Sequence, residues 1–253
     1  VLAAIADLTE AAGRAILEVY AADEQGVQVK ADSSPVTEAD LRAEAVILAG
    51  LADLAPDIPV VAEESVAAGR IPHLEPGAPF FLVDPLDGTK EFLSRNGEFT
   101  VNIALVEAGE PVLGVVHTPV LGLTYVGGQG VAEVRNQGTD GGKPLGVVSP
   151  GPDGNRVLVS RSHLDPATEQ WLAGVHVAER VQAGSSLKFC RIAEGAADLY
   201  PRFGRTMEWD TAAGHAVLQA AGGVVLTPEG RPFRYGKADF ANTPFIAYGS
   251  SHP

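Results

Sequence analysis

Phe80-Phe81-Leu82-Val83-Asp84-Pro85-Leu86-Asp87-Gly88-Thr89-Lys90 is the stretch on which the reading of this chain turns. Four apolar residues in a row make a buried strand. The run ends in two carboxylates three residues apart. Pro85 stiffens the exit, and Gly88 permits a tight turn. Hard cations such as Mg²⁺ take oxygen ligands, and two aspartates around a bend, with the Leu86 carbonyl between them, can offer such oxygens to one point. On spacing alone the alternative is a solvated turn, because Asp-Gly is a common turn pair.

Three further acidic positions sit where elements meet. Glu63-Glu64-Ser65 follows the apolar run 58–62, at a strand end. Asp40 stands just inside a helix that Thr37 can cap, and Asp210 follows Trp209 at the start of another. Each has a plainer reading. Aspartates near a helix N-terminus stabilise the helix dipole, and Glu63 and Glu64 can be a solvated pair.

Around these positions the pattern alternates. Leu2, Ile5, Leu8, Ala12, Ile16 and Val19 mark a helix, and a second runs from Thr37 to Leu48. Strands are expected over 58–62, 80–83, 99–106, 112–117 and 123–126, several of them antiparallel neighbours. Residues 140–143 read as a Gly-rich loop. In the second half, strands are expected over 156–160, 177–181, 198–200, 224–226 and 245–248, and helices over 165–173, 187–194 and 209–221. Strands and helices in blocks imply layered sheets with helices between them, an α/β (α+β) class rather than a strict βαβ repeat. A subdomain boundary is expected near 140–155, dividing the chain into 1–145 and 146–253.

Composition narrows the function. Across 253 residues, 18 Lys and Arg oppose 32 Asp and Glu, a formal charge of −14, which argues against a nucleic-acid polymer or an acidic membrane as partner. A single cysteine, Cys190, leaves no disulfide framework or thiolate zinc site and suits a reducing cytoplasm; peripheral contact with the inner membrane stays open. The apolar runs are too short and broken to span a bilayer. Walker A, Gly-x-Ser-x-Gly and GxGxxG signatures are missing, so ATP hydrolysis, serine esterase chemistry and dinucleotide binding have no support. Cys190, His215 and Trp209 read as packing residues.

Ala62-Glu63-Glu64-Ser65, Asp84-Pro85-Leu86-Asp87-Gly88-Thr89 and Trp209-Asp210-Thr211-Ala212-Ala213-Gly214, in this order, resemble the inositol monophosphatase superfamily of metal-dependent, lithium-sensitive phosphatases. The resemblance runs from Pro35 to Gly223. Lys90-Glu91-Phe92, Asn96 to Ala104, Val159 to His163, Gly184 to Cys190 and Tyr200 to Gly204 look like its CysQ-type 3′(2′),5′-bisphosphate nucleotidase branch, which acts in sulfur metabolism.

The resemblance implies a layered αβαβα sandwich and hydrolysis of the 3′-phosphate of adenosine 3′,5′-bisphosphate to AMP. It implies two or three Mg²⁺ ions on Glu64, Asp84, the Leu86 carbonyl, Asp87 and Asp210, with Asp40, Glu64 and Thr89 as catalytic residues. Asp87, Gly88, Thr89, Lys90, Ser160, His163, Gly184, Ser185, Lys188, Arg202 and Asp210 become candidate substrate contacts. Plainer roles remain beside these: a turn hydroxyl for Thr89, a surface lysine for Lys90 and helix capping for Ser185 or Ser186. Inositol monophosphate or fructose 1,6-bisphosphate is the rival substrate, and a non-catalytic metal- or phosphate-binding protein the rival class.

Overall fold

Helical spacing of apolar side chains makes the first element. In the computed structural model, which describes residues 1–22, 28–29, 35–139, 141–160 and 165–250, helix α1 (Leu2–Tyr20) buries Leu2, Ile5, Ala12, Ile16 and Val19. Strands β1 (Gln28–Val29) and β2 (Pro35–Val36) pair antiparallel. Helix α2 (Glu38–Leu54) follows, with Thr37 as its cap.

A seven-stranded sheet then forms in chain order. It runs β3 (Val60–Ala62), β4 (Phe80–Asp87), β5 (Thr100–Glu107), β6 (Glu110–Thr118), β7 (Leu123–Gly128), β8 (Val131–Asn136) and β9 (Lys143–Pro144). Only β3 and β4 are parallel; every later pair is antiparallel, as short connections allow. Short helices α3 (Glu63–Ala67) and α4 (Thr89–Leu93) leave the ends of β3 and β4.

The second half builds a five-stranded sheet from β10 (Asn155–Ser160), β11 (Val177–Ala183), β12 (Leu199–Arg202), β13 (Val224–Leu226) and β14 (Phe245–Tyr248), ordered β11-β10-β12-β14-β13. Its helices are α5 (Pro166–Leu172), α6 (Leu187–Ala193) and α7 (Glu208–Ala220).

Side-chain alternation stacks these pieces into five layers. On β4, Phe81 and Val83 pack with α1 and α2, while Phe80 and Leu82 face the opposite way, into a core shared with α6 and α7. That central core also takes Leu158, Tyr200, Phe245 and Ala247 from the second sheet. The other face of the second sheet packs Val157, Val159, Leu199 and Ile246 against Leu172 of α5. The order α1/α2, sheet, α6/α7, sheet, α5 is the expected αβαβα sandwich. Burial on both faces explains why the central strands read as unbroken apolar runs.

Several boundaries differ from the sequence expectation. The strand expected over 58–62 begins at Val60, and the helix expected to end near Leu48 continues to Leu54. Helix α4 and strand β8 were not expected. Glu133 and Arg135 disguise β8, but they pair with each other at 2.6 Å on a half-buried outer strand. Lys143, assigned to a loop, pairs with Val134; Asp140 lies outside the described residues.

The main correction concerns β4. The aspartates do not follow the strand; β4 continues through Pro85 to Asp87, with Asp84 opposite Asn102 and Asp87 opposite Thr100. Two residues, Pro85 and Leu86, therefore stand against one, a β-bulge that accommodates a proline lacking an N–H. Residues three apart in a regular strand point to opposite faces. The extra residue reduces the effective separation to two and sends Asp84 and Asp87 to the same face, that of the α6/α7 layer.

Candidate active site

Each acidic side chain is fixed by its own element. Asp40, the third residue of α2, accepts the Thr37 N–H at 2.8 Å and the Thr37 hydroxyl at 2.7 Å on Oδ2. Its Oδ1 lies 3.4 Å from the Thr89 hydroxyl, across 49 residues of chain. Asp210, the third residue of α7, accepts the Met207 N–H at 2.8 Å. Both aspartates therefore serve the helix-start role that the plainer reading gave them, and Asp40 also reaches Thr89. Asp84 is buried and accepts the Leu86 N–H at 3.0 Å, which tightens the bulge. Glu64 is buried at the start of α3.

Asp87 ties the two sheets together. Its Oδ2 accepts the Ser186 N–H at 2.6 Å, and its carbonyl accepts the Ser185 hydroxyl at 2.9 Å. Ser185 also donates to the Glu98 carbonyl, and its φ of +50° is rare for a side-chain-bearing residue. Gly88, at φ +93°, must be glycine on two counts: the left-handed backbone, and the Ser185 Oγ only 2.3 Å from where a Cβ would stand.

A cleft of about 320 Å³ lies between the β4 end, the α6 approach, β12 and the α7 start. It brings together nine candidates from the sequence: Asp87, Gly88, Thr89, Lys90, Ser160, Ser185, Lys188, Arg202 and Asp210. Asp40, Glu64, Asp84 and Leu86 do not line it and are all buried; of the neighbouring Glu63-Glu64 pair it is Glu63 that reaches the wall. Gly184 is also off the wall, and its N–H is taken by the Glu98 carboxylate at 2.8 Å. His163 lies outside the described residues. Sequence reasoning missed Arg205 and Thr206 on the cleft wall, which nothing local marks; Thr211, Glu98 and Ser186 stood in the quoted motifs, but their places as cleft wall and internal partners were not read from them.

Burial dominates the electrostatics of the cleft. Burial pushes the Asp87 carboxyl up to about 6, against the pull of Lys188 and the Ser186 N–H. Burial, and then the charge of Asp87, raise Asp210 well above the ordinary carboxylate range. Lys188 is driven down to about 8 by burial, with Asp87 opposing; its Nζ donates to the Ser185 carbonyl at 2.7 Å and lies 5.2 Å over the Tyr200 ring. Two half-buried carboxylates held above their ordinary range, one of them by the charge of the other, are the donor chemistry a hard divalent cation takes. Among the described residues no three acidic, His or Cys side chains converge as a ready ligand cluster, so the fit is one of donor type and charge.

The residues read as packing behave so. Cys190 is buried, and burial raises its thiol. Trp209 packs on Phe240, and the His215 ring bonds the Tyr235 hydroxyl at 3.0 Å.

Comparison with known proteins follows this geometry. The profile of the inositol monophosphatase family matches residues 1–250. The 3′(2′),5′-bisphosphate nucleotidase CysQ of Escherichia coli O157:H7 is 47% identical over 91% of this chain and 92% of its own. The Salmonella typhimurium protein of the same name is 48% identical over the same shares. The crystal structure of CysQ from Bacteroides thetaiotaomicron superposes with a TM-score of 0.81 at 38% identity, covering 97% of this chain and 96% of that one. An inositol monophosphatase from Anabaena, 24% identical with a TM-score of 0.76 over 99% of this chain and 90% of that one, shares the fold.

Proposed function

The chain belongs to the inositol monophosphatase family, and on that premise we propose a Mg²⁺-dependent 3′(2′),5′-bisphosphate nucleotidase that converts adenosine 3′,5′-bisphosphate to AMP and phosphate. One observation carries the reading. A half-buried acid pair, Asp87 and Asp210, shares a cleft with a buried Lys188, on a chain 47% identical over 91% of its length to a 3′(2′),5′-bisphosphate nucleotidase. No helix is long and apolar enough to cross a membrane among the described residues. The cysteine usage favours a cytoplasmic setting.

Glu64, Asp84, the Leu86 carbonyl, Asp87 and Asp210 would hold two or three Mg²⁺ ions. Bound there, the ions offset the charge of a phosphate dianion and acidify a bound water. The chain's own residues do the rest. Asp40, fixed by Thr37, holds the Thr89 hydroxyl as a relay: a water takes its place beside Thr89, gives a proton to Thr89 Oγ1, and Thr89 passes its own to Asp40 Oδ1. The N–H groups of Gly88 and Thr89 at the start of α4 face incoming phosphate oxygens. Lys188 and Arg202 meet the second phosphate, with Lys90, Ser160 and Ser185 on the cleft wall completing the nucleotide contacts. Substrate then sits between the halves 1–145 and 146–253.

The test is phosphate release from adenosine 3′,5′-bisphosphate, inositol 1-phosphate and fructose 1,6-bisphosphate, with Mg²⁺ and with or without Li⁺. The expected result is nucleotide preference and Li⁺ inhibition. Preference for a sugar or inositol phosphate would overturn the substrate and keep the chemistry. No turnover of any of the three would favour a binding protein.

A further inference from the structure

Helix α3 carries Glu64 but is poorly equipped to hold it. It has five residues, too few for a self-supporting helix, and its cap residue Ala62 supplies no side-chain hydrogen bond. The missing cap comes from elsewhere. Glu44 on α2, buried at 3% exposure, accepts the Glu64 N–H on Oε2 at 2.8 Å and the Ser65 hydroxyl on Oε1 at 2.7 Å. A buried carboxylate that uses both oxygens on one short helix start is a strong, directional anchor.

Glu44 lies four residues after Asp40, so both project from the same face of α2 one turn apart. Asp40 grips Thr89 at the β4–α4 junction, and Glu44 grips Glu64 and Ser65 at the β3–α3 junction. The helix beneath them is seated by Ala43, Ile47 and Leu51 in the core. We infer that Glu44 is a positioning residue of the active site, and that the Asp40–Glu44 face of α2 sets the placement of Glu64 relative to the Thr89 hydroxyl. The inference rests on the assignment of Glu64 to the ion site.

The experiment reads two quantities in wild type, Glu44→Ala, Glu44→Gln and Glu64→Gln. These are hydrogen exchange of the Glu64 amide in metal-free protein and Mg²⁺ affinity by calorimetry. Glu44→Ala is expected to speed exchange at Glu64 and weaken Mg²⁺ about tenfold or more, the size typical of losing a partner behind an ion ligand. Glu44→Gln should stay within about threefold of wild type, because its amide oxygen accepts the Glu64 N–H and its NH₂ donates to Ser65 Oγ. Unchanged exchange and Mg²⁺ affinity in Glu44→Ala, or a Gln variant as impaired as Ala, would overturn the inference. Should Glu44→Ala fail to fold, Ser65→Ala removes one arm alone and must shift both readouts in the same direction. Unchanged Mg²⁺ affinity in Glu64→Gln would instead remove Glu64 from the ion site, and the exchange data would still judge Glu44.

Discussion

Asp40 and Asp210 each spend one carboxylate oxygen on the N–H of the residue before their helix. That bond fixes the side-chain torsion, so the rest of the carboxylate is aimed before any ligand arrives. For Asp40 the aim is Thr89. Thr89→Val keeps the shape and removes the relay, and turnover should fall about 10²–10⁴-fold with KM little changed, while Thr89→Ser retains most activity. A Val variant with near wild-type turnover would remove Thr89 from the chemistry. Burial outweighs the pull of Lys188 on the Asp87 carboxyl, so Asp87→Asn should abolish Mg²⁺-dependent phosphate release without lowering the Tm of the metal-free protein; retained turnover would sink the ion-site assignment. Lys188→Ala should raise KM for the bisphosphate nucleotide well above its effect on inositol 1-phosphate, and equal effects would deny it a role at the second phosphate. At this scale the sequence was informative where chemistry is local: Asp84, Asp87, Asp210 and Thr89 stand in short motifs. It was silent on Glu44, whose partner lies 20 residues away, and it did not foresee that the Ser186 N–H would donate to Asp87, 99 residues away.

Elements place those side chains through two close fits. The bulge at Pro85-Leu86 turns Asp84 and Asp87 to one face, and paired glycines on the neighbouring strands let α7 lie low enough to bring Asp210 toward them. Gly114 and Gly127 face each other across β6 and β7. A Cβ on Gly114 would stand 2.3 Å from the Ala213 carbonyl, and one on Gly127 would stand 2.4 Å from the Val217 Cα. Both obstacles are backbone, so the helix itself must move. Gly127→Ala should therefore cost roughly 1–3 kcal/mol or more by overpacking, read as a lower urea midpoint. It should also weaken Mg²⁺ by tilting α7 and so displacing Asp210, seven residues before the Val217 that the new Cβ meets; a destabilised protein with intact Mg²⁺ affinity would uncouple the α7 seat from the site. The strands were legible because double burial gives apolar runs. The bulge was not, since a proline beside an aspartate reads as a strand exit until its partner strand is known. Strand β8 was hidden by charges that the fold pairs with each other.

The whole molecule carries −14 and buries two histidines, His117 and His215. His117 on β6 bonds Thr124 Oγ1 at 3.0 Å, and Thr124 in turn donates to Glu10 on α1 at 2.8 Å. Burial lowers His117 to about 4 and His215 to about 3. A histidine whose folded value is depressed binds its proton more readily when unfolded. Its stabilising effect is therefore complete above about 6.5 and is lost as pH falls toward the folded value. For His117 that loss is about 3 kcal/mol, at about 1.4 kcal/mol per unit, a large share of a typical 5–15 kcal/mol. Asp87 works in the opposite sense, because its raised value makes the folded state the tighter proton binder between about 3.8 and 6. Comparing variants with wild type cancels that contribution. His117→Gln and His215→Gln should both be less stable than wild type at pH 7.5, through lost packing. The deficit should shrink as pH falls from 6.5 to 4.5, because only wild type must then charge a buried ring or unfold. Urea unfolding at both pH values measures the difference. A deficit that stays constant across the window would mean that these rings protonate without unfolding, and that the layers around them admit a charge the buried setting disfavours.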